Sequence, residues 1–139
     1  MLALRGQATP YFMFDGNAKE ALEFYQSVFG GEVFELKTFV EAGYQMPPEA
    51  KDRLIHGRFK KDDLFIMVSD CFPGSAVVVG SNISLALNFE SEEEIQSIYN
   101  ALSEKGAVYM ELQDTFWGAK YAKVKDPYGV IWDLNYQKA

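Results

Sequence analysis

Residues 17–31, NAKEALEFYQSVFGG, and residues 91–106, SEEEIQSIYNALSEKG, decide the fold. Each opens on a capping pattern, Asn17 with Glu20 and Ser91 with Glu94, whose side chains can satisfy amides that the first helical turn leaves without partners. Ala18, Ala21, Leu22, Tyr25, Val28 and Phe29 recur at helical spacing, as do Ile95, Ile98, Tyr99 and Leu102. Gly30-Gly31 ends the first run and Gly106 the second. An offset of 74 residues lays Ser91 on Asn17, Glu94 on Glu20, Tyr99 on Tyr25 and Leu102 on Val28. The chain therefore reads as two copies of one unit.

The flanking segments complete each copy. Before the first helix, QATPYFMF at 7–14 is strand-like, with Pro10 suited to a strand start or an edge. After it come a strand at 32–40, a polar loop at 41–52 expected to be mobile, and a hairpin pairing 54–60 with 64–69. The second copy repeats the order with strands at 83–89, 108–112, 121–125 and 130–136, the last two joined by the turn Asp126-Pro127-Tyr128-Gly129. The expected class is α+β, a single domain of two βαβββ modules at about 7–70 and 82–136.

Composition narrows the functions available. At 139 residues, with 48% hydrophobic and 15% aromatic content, the chain suits one globular domain with a core rich in Phe and Tyr. Thirteen basic against twenty acidic residues give a formal charge of −7, which argues against a phosphate-tracking surface, so no nucleic-acid partner is expected. Cys71 stands alone and can form no intramolecular disulfide, and residues 1–6 lack an apolar signal run. Apolar stretches are far shorter than the roughly 20 residues of a membrane helix. These features predict a cytoplasmic protein that does not span a membrane.

The helix NAKEALEFYQSVFGGE (17–32) and the hairpin DPYGVIWDL (126–134), set in two βαβββ units, resemble the glyoxalase/bleomycin-resistance, or vicinal oxygen chelate, superfamily. PYFMFDGNAKEALEFY (10–25), IHGRFKKDDLFIMVSD (55–70) and DTFWGAKYAKVKDPYGVIWDLNY (114–136) are similar to its PhnB-like subgroup. The resemblance implies curved mixed sheets, a cavity enclosed by the paired modules, and a homodimer. Members of the subgroup often carry a demethylubiquinone methyltransferase name. This sequence has neither the glycine-rich strand-to-helix loop nor the length that a doubly wound, nucleotide-holding sheet requires.

Metal-dependent members of the superfamily place His, Gln or Glu on the first and last strands of each module. The corresponding positions here are Thr9 or Pro10, Met67, Asn82 or Ser84, and Asp133. Only Asp133 is a good ligand, where a transition metal usually wants three or more N, O or S donors. No metal and no cofactor are expected.

The residues suggest other chemistry. Strand alternation in LIHGRF (54–59) puts His56, the sole histidine, on one face with Leu54 and Arg58. His56 is the candidate catalytic residue, a general acid/base or hydrogen-bond donor; a packed histidine with one hydrogen bond is the alternative. In the loop Thr115-Phe116-Trp117-Gly118, Phe116 and Trp117 can stack on a planar or cationic small molecule, or plug one end of the sheet. Asp133 in the family's inward position would leave Trp132 to pack on a helix. Tyr11 and Asp70 complete the ligand-binding candidates, with core or turn roles as alternatives.

The leading reading is a PhnB-like protein that binds a small organic ligand in an aromatic, metal-free cavity. Its rivals are a metal-dependent lyase, isomerase or dioxygenase, with ligands completed by a partner chain, and a drug-sequestering binder.

Overall fold

The computed structural model describes residues 2–138; Met1 and Ala139 lie outside the described residues. The chain divides after Val77 into two compact units, and each unit is one module.

Module one runs β1 (Tyr11–Phe14), α1 (Ala18–Phe29), β2 (Glu32–Thr38), β3 (Leu54–Lys61) and β4 (Leu64–Asp70). Its sheet has the order β1-β4-β3-β2, with β1 parallel to β4 and the other pairs antiparallel. Module two repeats this with β5 (Leu85–Phe89), α2 (Glu92–Ser103), β6 (Ala107–Asp114), β7 (Ala119–Lys125) and β8 (Ile131–Gln137), ordered β5-β8-β7-β6. The fold is therefore α+β with two mixed four-stranded sheets, as the repeat implied. The first strands are shorter than expected. β1 begins only after Pro10, whose ring nitrogen has no proton to donate to a ladder.

Each helix buries its apolar stripe on its own sheet. Ala18, Ala21, Leu22 and Tyr25 are fully buried, with Phe59, Ile66 and Val68 on the strands of the same module. In module two Ile95 and Leu102 play the helix part, and Ala122, Val124, Trp132 and Leu134 the sheet part. Burying each large side chain contributes roughly 1.5–3 kcal/mol, enough to hold helices that would be marginal in isolation. Both helices end against a hairpin carbonyl: a Cβ on Gly31 would collide with the Lys60 carbonyl oxygen, and one on Gly106 with that of Lys125. The stop glycines are thus needed where helix and strand backbones meet.

The helix starts differ from the expectation. Ser91 caps α2, its hydroxyl accepting from the Glu94 amide at 3.1 Å. Asn17 makes no side-chain cap on α1. A residue from the end of β4, the strand beside β1, replaces it: Asp70 Oδ1 accepts from the amides of Gly16 at 2.9 Å and Ala18 at 3.0 Å. The segment after β2, expected as a mobile loop, is folded back as turns and a short 3-10 turn at Pro48–Ala50. Phe39 is buried there and meets Tyr44 and Phe72, ring centroids 5.7 and 4.9 Å away. Sequence polarity concealed an aromatic anchor.

Candidate functional site

Because side chains alternate along a strand, the face of each sheet opposite its helix carries a second set of residues. In module one, ladder register aligns Tyr11, Met67 and Arg58 across β1, β4 and β3. Met13 and His56 share that face by alternation. His56 and Arg58, which strand alternation puts on one face, are hydrogen-bonded: Arg58 Nε donates to His56 Nε2 at 2.8 Å. Arg58 Nε also meets Glu35 Oε2 at 3.1 Å, and its guanidinium lies 5.9 Å from the centre of the Phe65 ring. Glu35 reaches this position from a backbone φ of 53°, within an irregular stretch of the β2–β3 ladder. The Tyr11 ring stands edge-on to His56 at 6.3 Å. With Nε2 accepting, the neutral imidazole carries its proton on Nδ1, the nitrogen left to meet a ligand. Tyr11 and Met13 are about half exposed on this face.

Module two presents a different surface. Asp133 on β8 lies in register with Lys123 on β7, one row from Tyr121 and Asn135. The hydroxyls of Ser84 and Tyr121 donate to the two carboxylate oxygens of Asp133, and Lys123 Nζ lies 4.0 Å away. Burial and the bond to the Asp133 carboxylate push the Tyr121 phenol up to about 12, because ionising it would put a second negative charge beside the first. Trp132 points the other way, fully buried, as expected of an Asp133 turned from the helix. Its indole N–H donates to Asp126 Oδ2 at 2.9 Å. Sequence reading missed Tyr121 and Lys123, and gave Ser84 only as one of two positions matching the family's fifth-strand ligand. Alternation along β7 pairs Tyr121 with Lys123, but register across strands is what brings them to Asp133.

Asp70 is corrected from ligand candidate to scaffold. It is 2% exposed; besides capping α1, its Oδ2 accepts from the Leu54 amide at 2.9 Å. Three backbone donors occupy the carboxylate and leave little for a ligand. Phe116 and Trp117 occupy the β6–β7 turn, 98% and 53% exposed, with rings 4.9 Å apart and perpendicular. At that exposure Phe116 plugs nothing within module two. The turn is tight: the Thr115 amide donates to the Ala119 carbonyl, the Ala119 amide donates to the Thr115 hydroxyl, and the Gly118 carbonyl accepts from Lys138 N at 3.1 Å. Cys71 stays a thiol, pushed up by burial and by Asp15, 3.5 Å from its sulfur.

The metal positions implied by the resemblance do not fit a metal. Pro10 and Met67 meet through backbone, the Met67 amide donating to the Pro10 carbonyl at 3.0 Å. Asp133 is surrounded by hydroxyl protons and an ammonium, which repel a cation. Among the described residues no three His, Cys, Asp or Glu side chains gather as a metal site would need. No described helix is long and apolar enough to cross a membrane.

Known proteins share this architecture. Protein PA1353 from Pseudomonas aeruginosa is 32% identical, with a TM-score of 0.84, over 97% of this chain and 100% of that one. The PhnB protein from Bacillus cereus is 29% identical with a TM-score of 0.80, over 94% and 99%. Protein YjdN of Escherichia coli K12 is 30% identical over 94% of this chain and 95% of its own. A glyoxalase/bleomycin resistance protein/dioxygenase from Nocardioides, 18% identical with a TM-score of 0.57 over 98% of this chain and 87% of that one, shows the fold alone. Residues 6–135 match the family model described as 3-demethylubiquinone-9 3-methyltransferase, and the chain belongs to that family, with the PhnB-like form of the glyoxalase/bleomycin-resistance fold.

Proposed function

We propose that the helix-free face of each sheet binds small organic molecules, with His56 and Tyr11 as ligand contacts on the face of module one and Asp133 on that of module two. The observation that carries this reading is the His56–Arg58–Glu35 chain beside half-exposed Tyr11 and Met13, an ordered polar group set in apolar surface. His56 Nδ1 donates to the ligand or exchanges a proton with it, while Arg58 fixes the ring. Phe116 and Trp117 add exposed aromatic area for stacking.

Methyl transfer, which the family description names, gains no support from these residues. A nucleotide-like methyl donor would draw on free amides at a strand-to-helix turn, and here the Gly16 and Ala18 amides are taken by Asp70. Calorimetric titration of a panel of small aromatic molecules tests the proposal. His56→Ala is expected to lose about tenfold or more in affinity with its fold intact; unchanged affinity would reduce His56 to scaffold.

We also propose that the chain pairs with a second copy and works in the cytoplasm. β6 is an eight-residue sheet edge with Val108, Tyr109 and Met110 each more than 40% exposed, an apolar edge that solitary proteins usually protect. Sedimentation at micromolar concentration is expected to give the mass of two chains; a single-chain mass would refute the pairing.

A further inference from the structure

The bonds around Asp133 have a direction, and the direction selects a ligand. Ser84 and Tyr121 each possess one hydroxyl proton, and each proton is directed at the carboxylate. A hydroxyl whose proton is committed can only accept. An ordinary hydroxyl rotates to suit whatever arrives, but here rotation would strip a charge-assisted bond, about twice as strong as a neutral one, from a largely enclosed carboxylate. Lys123 is the cation beside the cluster, and its charge is offset by Asp133 at 4.0 Å, so an anion would find little net attraction.

The geometry points to the Ser84–Tyr121–Asp133 cluster as an acceptor seat for a ligand group that brings its own N–H or O–H donors, a hydroxyl or an amine, and against a carboxylate or phosphate. This rests on the proposal above that the helix-free faces bind organic ligands. Tyr121 must keep its proton for the seat to work, and burial beside Asp133 holds it protonated far above neutral pH. Asn135 Nδ2, one row along, donates to Asn88 Oδ1 at 3.2 Å, so its amide too is engaged across the sheet.

Benzyl alcohol, benzylamine and benzoate probe the seat with one ring and three head groups. In protein carrying 13C-carboxyl aspartate, the Asp133 signal is expected to shift saturably with either donor-bearing probe and not with benzoate. Comparing alcohol with amine separates a neutral hydroxyl from an ammonium. By calorimetric titration, Asp133→Asn is expected to bind the alcohol and the amine about tenfold more weakly, and Ser84→Ala, which uncovers a carboxylate oxygen, to keep the preference for donors. A benzoate response equal to theirs, or none to either donor probe, would overturn the assignment. A second readout needs no ligand: ultraviolet titration should show one tyrosine ionising near 12, returning toward about 10 in Asp133→Asn. An ordinary titration in the unaltered protein would overturn the bond direction itself, whether or not the faces bind ligands.

Discussion

The two modules share strand order, helix placement and the glycine contact at the helix end, yet each secures its backbone with a different buried carboxylate. In module one, Asp70 ties the start of α1 to the start of β3, reaching the Gly16 amide from 54 residues along the chain. In module two, Ser91 caps α2 locally, and Asp126 holds the β7–β8 turn by accepting from Tyr128 N at 2.8 Å and Val130 N at 3.1 Å while gripping the Trp132 indole. The helix-free faces differ in parallel: His, Arg and half-exposed apolar side chains in one, a hydroxyl-bonded carboxylate in the other. A repeated fold therefore constrains where residues stand and leaves free what they do there.

Substitutions should expose the contrast. Both carboxylates serve three donors, but two of those left by Asp70→Ala are buried amides and only the Trp132 indole is buried among those left by Asp126→Ala, so the first should cost about 3–5 kcal/mol and the second about 2–3 kcal/mol by chemical denaturation. Equal losses would remove the asymmetry. Where the modules agree, so should the variants: Gly31→Ala and Gly106→Ala are each expected to cost about 2 kcal/mol or more in thermal melts, from a methyl group driven into a strand carbonyl.

Alkaline pH should act on Tyr121 in module two. Its folded value lies above that of the unfolded chain, so its stabilisation is complete below about 10 and is lost as pH rises from there to about 12. Stability measured over that window should fall less in Tyr121→Phe. The smallest effect concerns the caps: Ser91→Ala should cost about 1 kcal/mol while Asn17→Ala stays near zero, because only the first makes a side-chain cap.

Much of this was legible in the sequence, and the limits have physical causes. Helical spacing, stop glycines and alternation are local, so both helices, all eight strands and the shared face of His56 and Arg58 could be read directly. Capping at α1 was misread because the true partner, Asp70, is brought there by the parallel β1–β4 pairing rather than by nearness in sequence. The same holds for Tyr121 and Ser84, which reach Asp133 through sheet register and approach from two other segments of the chain. Asp70 looked like a ligand residue because an acidic strand end is ambiguous until its burial is known.

Methionine-methyl NMR during titration with small aromatic molecules tests the central claim most directly, since Met13 and Met67 lie on the His56 face of module one. Saturable shifts at Met13 and Met67 that disappear in His56→Ala are expected. Shifts confined to methionines elsewhere, or none that saturate, would contradict ligand binding at that face.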